Sequence, residues 1–157
     1  MWELLRRFRE LEPSARGLFL RAAVLLPVIS LSLRLRGFRA TQSNLQKRLP
    51  AGLPGTSDQS SRAQAELTAL TVRMVRSAAH RSWGSPACLE QSLGLWWLLG
   101  RQGIPSSVRI GTRKTGEKFE AHAWVECDGM ALNEPEEAHK HFAAFDEVFP
   151  VVKMAKK

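Results

Sequence analysis

The chain is poor in cysteine and lacks tyrosine: of its 157 residues, only Cys88 and Cys127 are cysteines. Two cysteines that do not form a CxxC pair exclude a disulfide framework, and such low cysteine usage is typical of a reducing compartment. We therefore expect the protein in the cytoplasm.

Long hydrophobic runs are also scarce. The longest apolar stretch, residues 22–33, has twelve residues and contains Pro27, whereas a membrane-spanning helix needs about 20 apolar residues. Arginine-rich sequence follows the stretch, without the small-residue cleavage site of a signal peptide. We predict a buried or interfacial helix pair here, with peripheral membrane contact as the alternative.

The usual signatures of nucleotide and metal sites are missing as well. No glycine-rich phosphate loop occurs in the sequence. A zinc site would have to combine Cys88, His122, His139 and His141, which lack a paired spacing such as CxxC or HxxxH. We therefore predict no cofactor and no metal, and we do not expect nucleic acid as a partner.

What is present fits one soluble globular domain, with 44% apolar and 24% charged residues. The net charge of +8 is unevenly distributed, because residues 1–50 hold ten Lys or Arg and three Glu, which gives +7 in that segment alone. A solvated helical face explains this charge, and so does a docking surface for an acidic peptide, a protein or a lipid headgroup.

A Pro-, Gly- and Ser-rich stretch divides the chain. Residues 51–61 predict a linker loop. Residues 1–50 before it form a basic helical segment, in which a second helix begins at Pro13. Residues 62–157 form the core, which we expect to open with a helix from position 62 to about position 80. The expected buried side of that helix consists of Leu67, Leu70, Val72 and Val75.

A second core helix has clear end signals and begins close to Cys88. Ser85 suits the N-cap and Pro86 the first helical position, while Gly103 and Pro105 end the helix. Cys88 then falls in the first turn. There, free backbone amides and the positive end of the helix dipole favour a thiolate.

Two alternating stretches, residues 107–112 and 119–125, predict strands. The second presents His122 and Trp124 on one face. Its other face consists of the apolar residues Phe119, Ala121, Ala123 and Val125.

A tight two-residue turn at Asp128-Gly129 follows the second strand. A regular hairpin pairs Cys127 with Met130 and puts Asn133 on the same face as His122. Cys127 itself lies on the opposite face and is predicted to be a packing residue.

Cysteine at a helix start, histidine on a strand and a polar residue on the next strand are the parts of a cysteine peptidase site. The thiolate attacks a carbonyl, the imidazole takes and returns the proton, and the third group fixes the imidazole tautomer. Cys88 and His122 are therefore the candidate nucleophile and base, with Asn133 as the third member from the regular register.

Several motifs resemble those of one known family, the lasso-peptide leader peptidases of the transglutaminase-like superfamily. The matching motifs are Cys88-Leu-Glu-Gln-Ser-Leu, Gly103-Ile-Pro, Arg109-Ile-Gly, His122-Ala-Trp-Val-Glu, Asp128-Gly129 and Phe142-Ala-Ala-Phe145. The resemblance implies an α+β fold. In this fold, a transglutaminase/papain-like core packs a Cys-bearing helix on a small antiparallel sheet and follows N-terminal helices.

The resemblance also implies a catalytic triad. The family uses Cys, His and Asp, and Cys88 and His122 match the first two. The position of the Asp is held by Glu134, which reaches the His122 face only if a bulge or the strand end redirects its side chain. We take Glu134 as the third member and keep Asn133 as the alternative.

The implied function is removal of the leader from a ribosomally synthesised precursor during lasso-peptide maturation. The implied partners are the precursor, a separate winged-helix leader-recognition protein and the lasso cyclase. Two alternatives stay open: a catalytically silent transglutaminase-like module that only binds peptide, and a basic adaptor for polyanions or membrane surfaces.

Overall fold

The computed structural model describes residues 6, 10–50, 58–82, 86–115, 118–134, 141–144 and 149–150. Three helices come first: α1 (Pro13–Lys47), α2 (Asp58–Ala79) and α3 (Cys88–Arg101). Five strands follow: β1 (Ser107–Thr115), β2 (Lys118–Cys127), β3 (Met130–Ala131), β4 (Ala143–Ala144) and β5 (Phe149–Pro150). The predicted α+β fold class is confirmed.

Helix α1 begins at Pro13, as predicted, because proline suits the first turn of a helix. The helix pair expected around residues 22–33 is wrong, since α1 continues through Pro27 and breaks only at Gly37, with φ 75° and ψ 177°. Only glycine adopts this backbone region readily. The side chain of Thr41 joins the two sections, donating to the Gly37 carbonyl at 2.8 Å and contacting the Ser32 hydroxyl at 2.8 Å.

Helix α2 is longer than the sequence indicates, because it begins at Asp58 rather than at position 62. It ends at Ala79, close to the predicted end. Its buried side is centred one turn later than expected. Val75 is buried, and the other residues of the predicted side are only half-buried: Leu67, Leu70 and Val72.

Helix α3 is the centre of the core. Leu93, Trp96 and Leu99 are fully buried. They belong to one hydrophobic cluster, to which α1 contributes Leu26 and Ile29, α2 contributes Val75 and Ala78, and the sheet contributes Val108 and Val125. A Cβ atom on Gly94 would lie 3.0 Å from the Leu26 side chain, so glycine permits a close approach of α1 and α3.

The N-terminal helix therefore shares one core with the rest of the chain. The predicted boundary at 51–61 stays a prediction, since residues 51–57 lie outside the described part. The first helix that the sequence predicts, before Pro13, also lies mostly outside it.

The sheet is antiparallel, with the order β3-β2-β1-β4, and β5 pairs with the same edge of β1 as β4. The predicted turn at Asp128-Gly129 is confirmed: both residues have positive φ, 49° and 78°, and Cys127 pairs with Met130. Phe119 belongs to the apolar face of the predicted strand but is 71% exposed. The β1–β2 hairpin extends beyond α3 at that end, and residues 118–121 are all exposed.

We predict that Gly37→Ala lowers the free energy of unfolding by about 1–3 kcal/mol, because a Cβ atom strains this backbone conformation. Gly17→Ala is the matched control: Gly17 is helical with open space around it, so this change should raise stability by about 0.5–1 kcal/mol. Urea unfolding followed by circular dichroism measures both. Equal effects of the two substitutions would contradict the assignment of the break to Gly37.

Candidate active site

Cys88 lies in the first turn of α3, as the sequence predicts, and is its first residue rather than Pro86; it is half-buried with a free thiol. The N-cap differs from the prediction: it is Ala87, and Ser85 lies outside the described residues. Alanine has no polar side chain, so Glu90 stabilises the helix start by accepting a hydrogen bond from the Ala87 N–H. Gln91 donates to the Pro86 carbonyl at 2.7 Å, which fixes the approach to Cys88.

A polar contact holds the first part of α3 against β2. The Ser92 hydroxyl is fully buried and donates to the carbonyl of Ala123 at 3.0 Å. Ser92 lies one turn after Cys88 on the same side of the helix, and Ala123 directly follows His122. The contact therefore places the start of α3 beside the strand segment that holds the histidine.

Asn133 completes this contact. Its Nδ2 donates to the Ser92 hydroxyl at 3.0 Å, and its Oδ1 accepts from the Val125 N–H at 2.7 Å. A regular hairpin would satisfy Val125 with the Leu132 carbonyl, but the ladder ends after Leu132 donates to the Val125 carbonyl. The Asn133 side chain thus links β2 to α3, and its polar atoms do not contact His122.

Because the chain leaves the ladder at Asn133, the next side chain turns toward the histidine. The Glu134 Oε1 atom lies 2.6 Å from His122 Nε2, and the two side chains are only 16% and 20% exposed. Of the two candidates for the third position, the structure brings Glu134 to His122, while Asn133 has a separate, structural set of contacts.

Aromatic side chains surround the histidine. The His122 ring lies 5.2 Å from Phe142 and 6.3 Å from Trp124, measured between ring centroids. Gly111, directly opposite His122 on β1, makes this packing possible: a Cβ atom there would lie 3.0 Å from Trp124, Phe142 and the Ala143 carbonyl. Arg113 covers the outer side of Phe142, with its guanidinium 4.6 Å from the ring centroid.

A comparison with protein-family models matches residues 27–145 to the core of the transglutaminase-like superfamily. The chain belongs to this superfamily. The matched region begins in α1 and ends just after β4, so it includes Cys88, His122 and Glu134. Comparisons with curated proteins and with solved structures gave no match.

The transglutaminase-like superfamily includes cysteine peptidases, and the predicted core architecture agrees with this membership. The sequence did not predict that Ser92 and Asn133 join α3 to β2. The role of Ser92 had a signal in the sequence, because a serine among the apolar residues of a central helix needs a buried hydrogen-bond partner.

The second cysteine has the surroundings of a packing residue. Cys127 is 7% exposed and forms part of the main hydrophobic cluster. Burial, together with the neighbouring Asp128 carboxylate, raises the pKa of the Cys127 thiol to about 11. The zinc alternative gains no support: His139 lies outside the described residues, and those described contain no group of three metal ligands.

We predict that Asn133→Ala lowers the free energy of unfolding by about 1–3 kcal/mol, because it leaves the buried Val125 N–H and Ser92 hydroxyl without their partner. Asn44→Ala is the control, since Asn44 lies on α1 and its side chain forms no hydrogen bond among the described residues. Chemical denaturation compares the two variants. Equal stabilities would show that the Asn133 contacts contribute nothing.

A second prediction concerns pH. The unfolded Cys127 thiol ionises near 9.0, whereas the folded thiol keeps its proton to about pH 11. The stability that this thiol contributes is therefore complete below pH 9 and is lost as pH rises toward 11. The difference in unfolding free energy between wild type and Cys127→Ala should narrow over this interval. A difference that stays constant with pH would contradict the pKa assignment.

Proposed function

We propose that this transglutaminase-like protein is a cysteine peptidase that removes the leader from a ribosomally synthesised precursor during lasso-peptide maturation. Cys88 is the nucleophile, His122 the general base and acid, and Glu134 the group that orients the imidazole. The observation that carries the proposal is the 2.6 Å contact between Glu134 Oε1 and His122 Nε2. This contact makes Glu134 the third residue of the triad, at the position where the family has an aspartate.

The geometry supports different roles for the two ring nitrogens of His122. A carboxylate beside Nε2 stabilises the tautomer that has its proton on Nε2, and it also stabilises the imidazolium that forms during the reaction. Nδ1 is then free to accept the proton of the Cys88 thiol. The aromatic side chains of Trp124 and Phe142 restrict rotation of the ring and keep water away from it.

The reaction then proceeds through the steps of a cysteine peptidase. The Cys88 thiolate forms a bond to the scissile carbonyl carbon, and the C–N bond breaks as His122 donates its proton to the departing amine. The leader stays attached to Cys88 as a thioester. His122 next accepts a proton from water, the hydroxide breaks the C–S bond, and the leader carboxylate leaves.

The leader specificity rests on the resemblance of the motifs around Cys88 and His122 to those of the lasso-peptide leader peptidases. With this specificity we propose the corresponding partners: the precursor peptide, a separate winged-helix protein that presents the leader, and a lasso cyclase that uses the freed amine. We propose the cytoplasm as the compartment, in keeping with the two free cysteines.

Glutamate in place of the family's aspartate favours one other function, a silent module that binds the precursor without cutting it. Glutamate has one more methylene than aspartate, which displaces the carboxylate unless the backbone compensates. Here the chain leaves the β-ladder at Asn133, and the Glu134 carboxylate reaches the imidazole. The contact therefore favours the peptidase over the silent module.

Mass spectrometry of a candidate precursor, incubated with the protein and its recognition partner, tests the proposal. We predict that wild type cleaves and that Cys88→Ala does not. Glu134→Gln, which keeps the size of the side chain but removes its charge, should lower the rate by about 10- to 1,000-fold. Glu134→Asp should retain more activity than Glu134→Gln, because a carboxylate is still present.

Cys127→Ala is the matched control and should cleave at the wild-type rate, since Cys127 is buried away from the reaction. Binding of the precursor by every variant, with no cleavage even by wild type, would instead assign the silent module. Unchanged cleavage in Glu134→Gln would remove Glu134 from the mechanism.

A further inference from the structure

Helix α1 exposes a row of aliphatic side chains to solvent. The row, here called the aliphatic ridge, consists of Leu20, Val24, Val28, Leu31 and Leu35, which are 53–73% exposed. Their spacing of three or four residues places them along one line of the helix. A solvated helix face would be polar at these positions, so the ridge needs an occupant.

The ridge is held in place by the opposite side of the same helix. Ala22, Leu26 and Ile29 are at most 1% exposed and pack in the main core against α3. By length and composition α1 is able to cross a membrane, with a mean hydropathy of 1.9 over an 18-residue window. Crossing would pull the buried side out of the core. The fold therefore favours a helix that lies on a surface.

The charges beside the ridge are all positive. Helix α1 contains five Arg, one Lys and no Asp or Glu. With about 3.6 residues per turn, Arg21 flanks one side of the ridge and Arg34 the other. Both are exposed, and neither forms an ion pair within the part of the chain that the structure describes. An aliphatic surface with a cationic rim is complementary to an anionic, apolar partner.

A groove of about 680 Å³ adjoins the ridge, between α1 and the C-terminal end of α3. Trp97 and Leu98 form its α3 side, and Arg21 and Arg101 line it from the two helices. The Arg101 guanidinium lies 5.7 Å from the Trp97 ring centroid. Half-buried tryptophan beside arginine is a pairing that suits the boundary between lipid headgroups and acyl chains.

Taken together, these observations favour lipid over the other occupants. A second copy of the chain would place two cationic rims against each other without any acidic residue of α1 between them. The ridge itself is entirely aliphatic and about 22 Å long, and its cationic rim matches anionic headgroups along that length.

We propose that α1 docks the protein on the surface of a membrane that contains anionic lipid. The ridge enters the headgroup boundary, and Arg21, Arg34 and Arg101 contact lipid phosphates. Cys88 is at the other end of α3, about 20 Å from Arg101 along the helix, so the candidate active site lies away from the groove. This proposal is independent of the peptidase proposal.

Vesicle flotation of the full chain tests the docking. The probes are vesicles of phosphatidylcholine alone and vesicles with about 30% phosphatidylglycerol. We expect binding to be about tenfold or more stronger with the anionic lipid and to weaken with salt. The double variant V24E/V28E should lose this binding, and Arg21→Glu should weaken it.

Phe119→Glu is the matched control. It also replaces a large exposed apolar residue with an acid, but on β2, away from α1, so it should bind vesicles like wild type. Cleavage of a soluble precursor should be the same in V24E/V28E as in wild type. Failure of the docking proposal therefore stays distinct from failure of the peptidase proposal.

Equal binding to both vesicle types, or wild-type binding by V24E/V28E, would overturn the proposal. Absence of vesicle binding would also overturn it. In that case, sedimentation velocity would assign the ridge to a second copy if wild type dimerises and V24E/V28E does not. Loss of affinity for the recognition protein in V24E/V28E would assign it to a protein partner.

Discussion

The site depends on how the buried helix α3 is fixed against the sheet. Leu93, Trp96 and Leu99 hold the helix between α1 and the strands, and the Ser92 hydroxyl joins its first half to β2 through the Ala123 carbonyl. Hydrophobic contacts alone are not directional, so they do not determine how far the helix slides or rotates. The buried hydrogen bonds of Ser92 and Asn133 supply that direction, and the positions of Cys88 and His122 follow from it.

Much of the fold could be predicted from local signals. Gly103 and Pro105 mark the end of α3, Cys88 lies in its first turn, and Asp128-Gly129 can form the tight turn because both residues accept positive φ. What local signals could not give was the direction of Glu134. It depends on an exchange at Asn133, whose side chain takes the place of a backbone carbonyl in the ladder. A regular hairpin register does not include such an exchange.

The structure differs from the sequence-based predictions at two other places, Pro27 and Phe119, because of tertiary contacts. Pro27 was expected to interrupt a helix pair, but tertiary packing of Leu26 and Ile29 holds α1 continuous there, and the break occurs at Gly37 instead. Phe119 follows the alternation of a buried face but lies beyond the end of the helix that covers the sheet. At Pro27 tertiary packing overrode the local signal, whereas at Phe119 the extent of the neighbouring helix decided the exposure.

We propose that Cys88, His122 and Glu134 act together on a peptide bond. Intact-mass analysis of the protein, quenched rapidly with acid during turnover of the precursor, tests this proposal. We expect a transient adduct with the mass of the leader acyl group, mapped to Cys88 and reduced in Glu134→Gln. Product formation with no adduct at Cys88, or with the adduct at Cys127, would contradict it.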